Sequence, residues 1–215
     1  MKDRLAVLNE IESTGVVAVV RADSSEQLGG VVGALYEGGL TCIEITMTTP
    51  NALEAIAEAA KEYGDRCAIG VGTVLDAETA RAAILAGAVF VVAPILDLPT
   101  VELCKRYSKV VVPGAFTPTE IVRAWQAGAD VVKVFPATKL GPSFFKDMKG
   151  PLPHIKLTPT GGVSLENAGE FIKAGAVALG VGSAMVDKKA VASGDFKTLT
   201  SKAAAFIKAV ADARA

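Results

Sequence analysis

The chain repeats one kind of segment: short runs rich in Val, Ile and Ala, recurring at roughly 20–26-residue intervals, the length of one strand plus one helix. Most of the runs are continuously apolar, which is typical of parallel strands covered on both faces. There are eight such runs. They are Val16–Ala22, Thr41–Thr46, Cys67–Thr73, Phe90–Pro94, Val110–Gly114, Val131–Pro136, Ile155–Gly161 and Ala176–Gly182.

The segments between the runs carry helix signals. Thr117 to Glu120 is a capping box with Pro at the first helical position, and Ser24 and Ser25 precede another predicted helix. Eight strand-then-helix units predict an α/β fold, a (β/α)₈ TIM barrel formed by residues 1–215 as a single domain. Residues 3–14 predict an extra N-terminal helix, placed to plug one end of the barrel.

An open doubly wound sheet is the alternative fold. Its dinucleotide-binding signature, GxGxxG after the first strand, is absent, because residues 20–24 read VRADS. The pairs Gly70-Val-Gly and Gly180-Val-Gly come late in the chain and lack the third glycine. The barrel is therefore favoured over the open sheet.

Composition excludes several classes of protein. Hydrophobic residues make up 51% of the chain and charged residues 21%, which indicates a folded core rather than disorder. A net charge of −1 argues against a nucleic-acid-binding protein. No charge-free stretch reaches the ~18 residues of a membrane span, and the start lacks a signal peptide's apolar segment. Three cysteines without CxxC spacing are read as reduced thiols, so we expect a cytoplasmic protein. The one histidine, His154, excludes His-rich zinc sites such as HExxH.

Function in such a barrel is located at the C-terminal ends of the strands, so the polar and special residues there are the candidates. They are Arg21, Glu44, Thr46, Thr73, Pro94, Lys133, Thr160, Gly161, Gly162, Gly182 and Ser183.

Lys133 is the most informative of them, since it interrupts the otherwise apolar strand Val131–Pro136. A lysine buried there is costly unless it is paired or its pKa falls. A lysine with a lowered pKa is what a Schiff-base nucleophile requires. The alternative is a lysine that extends to solvent or forms a structural ion pair.

Glu44 lies between apolar neighbours in Cys42–Thr46 and is a candidate general acid or base. The alternative is a structural ion pair with a basic residue of the barrel. Both interpretations allow Glu44 and Lys133 to face each other, and the sequence does not determine whether charge pairing or desolvation dominates.

Two glycine turns after the seventh and eighth strands predict a phosphate site. Pro159–Val163 precedes a helix start at Ser164, and Gly180–Ala184 follows the next strand. Glycines let backbone N–H groups approach an anion, and barrel phosphate sites often use these two loops.

Two further residues are candidates to contact the substrate. Arg21 could bind a substrate carboxylate, and the alternative is a surface arginine at a loop start. Thr73 could form a hydrogen bond with a carboxylate or keto oxygen, and the alternative is a residue that packs in the barrel.

Six short motifs in order along the whole chain resemble the 2-keto-3-deoxy-6-phosphogluconate (KDPG) and 4-hydroxy-2-oxoglutarate (KHG) aldolases. The motifs are Ile43–Thr46, Gly70–Val74, Pro113–Pro118, Lys133–Pro136, Pro159–Gly162 and Gly180–Ser183. The resemblance implies a class I aldolase on a (β/α)₈ barrel, a homotrimer without metal or other cofactor.

By this resemblance Lys133 is the Schiff-base lysine and Glu44 the general acid/base. Thr73 is a threonine near the pyruvyl carboxylate and Phe135 an aromatic residue lining the site; the phosphate contacts are Gly161, Gly162 and Ser183. Some members carry a carboxylate-binding arginine where this chain has Thr48. Arg21 is the candidate to replace it.

The implied reaction cleaves KDPG to pyruvate and glyceraldehyde 3-phosphate, and KHG to pyruvate and glyoxylate. The corresponding 6-phosphogalactonate compound is an alternative substrate, because all three share the pyruvyl half. Two further alternatives are a sugar-phosphate epimerase or decarboxylase, which EDTA sensitivity would favour, and a non-enzymatic barrel kept as an assembly module.

Overall fold

A computed structural model describes residues 2–22 and 27–215, and the predicted helix start at Ser24 and Ser25 lies outside them. The described residues form ten α-helices and nine β-strands. The strands are β1 Val16–Val20, β2 Cys42–Thr46, β3 Ala68–Gly72, β4 Phe90–Val92, β5 Val110–Val112, β6 Gly114–Ala115, β7 Val132–Val134, β8 Leu157–Pro159 and β9 Leu179–Val181. The helices are α1 Arg4–Thr14, α2 Leu28–Glu37, α3 Ala52–Tyr63, α4 Ala77–Leu85, α5 Leu98–Arg106, α6 Pro118–Gln126, α7 Gly141–Lys149, α8 Leu165–Lys173, α9 Lys188–Ser193 and α10 Phe196–Arg214.

All the strand pairs are parallel and form two curled sheets. One has the order β5-β4-β3-β2-β1-β9 and the other the order β6-β7-β8. At one junction the predicted fifth strand is split at Pro113, whose carbonyl accepts a hydrogen bond from the Lys133 N–H at 2.9 Å. At the other, isolated parallel bridges join Leu157 to Ala176 and Thr160 to Gly180. The fold is therefore α/β with parallel strands, as predicted, and eight predicted runs appear as nine short strands.

The split at Pro113 has a simple cause. Proline has no N–H to donate, so regular ladder pairing is interrupted there. The chain still continues in the same direction, because β5 pairs with β4 and β6 pairs with β7 on either side of that residue. Residues of the fifth run thus belong to both sheets.

The predicted N-terminal helix is present as α1. Asp3 caps it, its side chain accepting a hydrogen bond from the Ala6 N–H. Its buried side chains, Val7 and Ile11, belong to the core cluster formed by inward-facing residues of the strands. The Arg4 guanidinium forms an ion pair with the buried Asp130, just before β7. The helix therefore covers one end of the space that the sheets surround.

The three cysteines are buried free thiols in the core. Burial raises the pKa of Cys42 and of Cys104 to about 12 and that of Cys67 to about 11. Thiols this far from ionising are poor nucleophiles, in agreement with the prediction that they are packing residues. His154 is exposed and its ring lies edge-on to Trp125, 6.2 Å between centroids.

Candidate active site

Glu44 and Lys133 lie on strands of different sheets and line the same small cavity. Glu44 is central in β2, paired in register between Val19 and Gly70. Lys133 is central in β7, between Gly114 and Thr158. Both side chains are buried, with 2% and 5% of the residue exposed, and both line a cavity of about 20 Å³. The two ionisable residues predicted from the sequence are thus brought together in the interior.

The pKa of each group is shifted by burial. Desolvation raises the pKa of the Glu44 carboxyl, and the charges of Lys133 and Arg21 oppose that shift. Desolvation lowers the pKa of the Lys133 ammonium, with Glu44 opposing and Arg21 adding to the shift. The two shifts bring an acid and a base closer in proton affinity, which is the condition for exchanging protons near neutral pH.

The Glu44 carboxylate also has an unused hydrogen-bonding atom. Its Oε1 is buried and has no hydrogen-bond partner among the described residues. A buried carboxylate oxygen without a partner is energetically unfavourable, so such groups cluster where a ligand completes the bonding. The Lys133 Nζ lies 4.8 Å from the centroid of the ring of Phe135, the residue that follows β7.

The position of Glu44 depends on Gly72, two residues from its partner Gly70 on β3. A Cβ built on Gly72 would lie 1.6 Å from Glu44 Oε1. No side chain fits there while the carboxylate keeps its position. The sequence motif Gly70–Val74 contains this residue, but its role as the space for Glu44 could not be read from the motif.

We therefore expect Gly72→Ala to displace the Glu44 side chain and lower turnover about 10- to 100-fold, since small misplacements of reacting groups are costly. Steady-state kinetics would measure the loss. Gly39→Ala is not a suitable control because φ there is 88°, whereas Gly29→Ala, on α2 with open space around it, is a suitable one. Unchanged turnover in Gly72→Ala would contradict the placement of Glu44.

A second, larger cavity of about 260 Å³ adjoins the first, because Thr160 and Gly180 line both. Its lining includes most of the predicted binding residues: Arg21, Phe135, Thr160, Gly161, Gly162, Gly182 and Ser183. Gly161 and Gly162 have φ values of 87° and 74°, a conformation that favours glycine. Consecutive turned peptides of this kind present N–H groups to an anion, and α8 begins immediately afterwards.

Other predicted residues lie at the mouth without lining either cavity among the described residues. Thr73 is half-buried with φ of 60°, a strained conformation for a β-branched residue. Pro94 is half-buried beside Gly114, where an added Cβ would lie 2.3 Å from the Pro94 backbone. Thr48 is exposed, and its hydroxyl lies 2.9 Å from that of the buried Thr46.

Sequence reasoning missed two polar side chains of these cavities, Thr158 and Lys188. Thr158 faces the small cavity beside Lys133 and donates a hydrogen bond to the Ala178 carbonyl at 2.8 Å. Lys188 lines the large cavity and had no distinguishing signal, since it belongs to a Lys-Lys pair at a helix start. Within residues 2–22 and 27–215, no three His, Cys, Asp or Glu side chains are grouped as metal ligands would be. In the same ranges, no helix combines the length and hydropathy of a membrane span.

Comparison with known proteins decides the family. The family described as KDPG and KHG aldolase matches residues 7–202. The chain belongs to this aldolase family. The family predicted from the six motifs is therefore confirmed, and with it a lyase that cleaves carbon–carbon bonds.

Similar proteins include two curated bacterial enzymes and one solved structure. The 2-dehydro-3-deoxy-phosphogluconate aldolase of Treponema pallidum is 36% identical over 197 residues, 91% of this chain and 93% of that protein. The 2-dehydro-3-deoxy-6-phosphogalactonate aldolase of Escherichia coli is 32% identical, covering 92% and 95%. The KDPG aldolase of Legionella pneumophila, solved with pyruvate as a covalent carbinolamine, has a TM-score of 0.87 at 25% identity, covering 93% and 97%.

Proposed function

We propose that this protein is a class I aldolase that cleaves KDPG to pyruvate and glyceraldehyde 3-phosphate, and KHG to pyruvate and glyoxylate. The observation that carries the proposal is the buried pair Glu44 and Lys133 lining one cavity. The phosphogalactonate isomer is a second candidate substrate, because one similar enzyme is named for it. All these substrates present the same 2-keto acid half to the buried pair.

In the proposed mechanism, the neutral Lys133 amine attacks the C2 ketone. Glu44 protonates the carbinolamine oxygen, water leaves, and an iminium ion forms. Glu44 then removes the C4 hydroxyl proton, the C3–C4 bond breaks, and its electrons move into the iminium to give an enamine. The aldehyde departs, C3 is protonated, and water hydrolyses the iminium to pyruvate and free Lys133. Each positioned proton transfer contributes ~10²–10⁴-fold.

The remaining site residues are assigned to the two ends of the substrate. Arg21 is proposed to bind the pyruvyl carboxylate, in place of the arginine that some family members carry at the position of Thr48. The charge of Arg21 lowers the pKa values of both Glu44 and Lys133. Thr73, Pro94, Phe135 and Thr160 complete the substrate contacts. The backbone of Gly161, Gly162 and Gly182, with Ser183, is proposed to hold the phosphate. We also propose that the nine strands close into one (β/α)₈ barrel, supported by the bridges between β8 and β9.

Borohydride trapping with pyruvate tests the function directly. A reduced pyruvyl adduct located on Lys133 by peptide mass spectrometry is the expected result, since borohydride converts the protein-bound iminium to a stable secondary amine. Absence of an adduct in folded protein would contradict the aldolase mechanism and favour a sugar-phosphate epimerase or decarboxylase, or the non-enzymatic alternative. Sensitivity to EDTA would then favour the epimerase or decarboxylase over the non-enzymatic alternative.

The homotrimer is likewise a proposal. Four exposed apolar side chains follow β3, β4 and β6 on one side of the mouth, where β4 pairs with β3 and with β5, and β6 continues the run of β5. They are Leu75, Ile95, Leu98 and Phe116. Exposed apolar side chains grouped in this way mark an interface, and we assign two further copies of this chain to it. A cytoplasmic location is proposed as well, supported by the free thiols.

We expect Leu98→Glu to dissociate the trimer in analytical ultracentrifugation, because a charge buried in the interface is costly. Leu98 is 55% exposed and begins α5, where an acidic residue suits the helix N-terminus. Leu5→Glu is the matched control, since Leu5 is 67% exposed in the first turn of α1. A trimeric Leu98→Glu variant, or a monomeric wild-type protein, would contradict this assignment.

A further inference from the structure

The small cavity that Glu44 and Lys133 share is closed on one side by the N-terminal helix. Ile11 of α1 belongs to its lining and is only 3% exposed. The other apolar side chains of the lining belong to the same core cluster as Ile11, and they lie on strands or directly before them. They are Val17, Phe90, Val92, Val112, Val131 and Ala178. Ile11 is thus the contribution of a helix to a cavity whose other described lining comes from the strands and the residues next to them.

The volume of this cavity limits the water that reaches Glu44 and Lys133. About 20 Å³ is the space of roughly one water molecule. The buried Oε1 of Glu44 has no hydrogen-bond partner among the described residues. Any further water beside this oxygen would donate a hydrogen bond to it and would favour the charged carboxylate, as it would favour the charged ammonium of Lys133. A larger cavity would therefore change the protonation of both groups.

The charged residues within α1 are all engaged in ion pairs, and none of them is among the described residues that line the cavity. These pairs are Arg4 with Asp130, Glu10 with Lys2 and Glu12 with Lys156. The charges that act on Glu44 and Lys133 are those of the two groups themselves and of Arg21, which follows β1. The helix therefore acts on the pair through the apolar side chain of Ile11.

We propose that Ile11 is a positioning residue for the aldol reaction, because it closes the cavity that Glu44 and Lys133 share and limits their contact with water. The inference rests on the proposed function, in which Lys133 attacks as the neutral amine. Burial favours that form, since it lowers the pKa of Lys133, and it favours the neutral carboxyl of Glu44 by raising its pKa. Ile11 is assigned no contact with the substrate and acts through these two groups.

The test follows iminium formation by Lys133 across pH in Ile11→Ala. Pyruvate is added, samples are reduced with borohydride at successive times, and the adduct is measured by mass spectrometry. The shorter side chain leaves room for further water, so the pKa of Lys133 should rise toward its ordinary value and the neutral amine should become rarer. On the acid side of the profile we expect the rate to fall about 3- to 10-fold, as a rise of about half a unit to one unit in the pKa implies. The difference from wild type should vanish as pH rises.

Val7→Ala is the matched control. Val7 lies on the same helix, is fully buried and belongs to the same core cluster, but it is not among the described residues that line the cavity. This variant should lose stability in thermal melts, as Ile11→Ala should, and should keep the wild-type pH profile. Ile11→Val removes less of the side chain, so it should fold more readily and shift the profile in the same direction by a smaller amount.

The shape of the profile decides between a role in catalysis and a role in packing alone. A loss of the same size at every pH in Ile11→Ala, or an equal profile shift in Val7→Ala, would overturn the role of Ile11. A wild-type profile in folded Ile11→Ala would do the same; if that variant does not fold, a wild-type profile in Ile11→Val has this meaning. Absence of an iminium in the wild-type protein would instead overturn the proposed function.

Discussion

Replacing Lys133 by methionine is expected to lower aldol cleavage by on the order of 10⁴–10⁶-fold, as loss of a covalent nucleophile does. Methionine has a similar length and no amine, so it fills the space between Gly114 and Thr158 without forming an iminium. Steady-state kinetics with KDPG would measure the loss, and borohydride trapping should find no adduct.

The same variant should still fold. The apolar side chain removes the desolvation cost of the buried Lys133 amine, and Glu44, whose pKa the Lys133 charge lowers, can keep its proton and stay neutral. Lys146→Met, on the exposed surface of α7, is the matched control and should keep full activity. Near-normal turnover in folded Lys133→Met would exclude the Schiff-base mechanism at this residue.

Replacing Glu44 by glutamine is expected to lower turnover about 10²–10⁴-fold, because the amide cannot transfer the protons that the mechanism requires. Binding of pyruvate should be largely kept, since the proposed mechanism gives Glu44 a role in proton transfer and gives the carboxylate to Arg21. Kinetics and pyruvate binding, measured on the same preparation, separate the two effects. A KM raised with kcat unchanged would contradict the role of Glu44 in proton transfer.

The Glu44→Gln variant also makes a prediction for stability against pH. Burial raises the pKa of the Glu44 carboxyl in the folded state. The wild-type protein therefore has the full contribution of the neutral carboxyl below the unfolded-state pKa and loses it as pH rises through the folded-state pKa. In thermal melts, the Tm of Glu44→Gln relative to that of the wild-type protein should increase as pH rises from about 4 to 8. A gain that shrinks with rising pH would contradict the burial effect.

The positions of the strands could be predicted because strands that are buried on both faces are continuous apolar runs in the sequence. Seven of the eight runs contain one strand each, which is shorter than the run by one to four residues at one or both ends. The run Val110–Gly114 differs, since Pro113 divides it. Strand ends depend on which N–H groups find partners, and a single sequence shows that only where proline removes one.

The candidate site could be predicted in part for a similar reason. An ionisable residue inside an apolar strand is conspicuous, so Glu44 and Lys133 were found and are placed together. Lys188 was not predicted, because charged residues at a helix start are usually solvated. No local feature of the sequence distinguishes one that lines a cavity. Thr73 and Pro94 follow β3 and β4 as predicted, but neither residue lines either cavity. Their position after a strand does not determine the direction of a side chain in a loop.

The pair proposed to break the bond, Glu44 and Lys133, lies on hydrogen-bonded strands, whereas the glycine turns, Arg21 and Lys188 lie on loops and a helix start. Loop residues tolerate exchange far better than residues inside a parallel sheet. An enzyme whose two sets of site residues lie on different elements can acquire a new aldehyde partner through changes in the loops and the helix start, while the strand residues proposed to act on the pyruvate half stay the same. For anyone seeking new carbon–carbon bonds from this scaffold, the residues to randomise are those of the loops and the helix start.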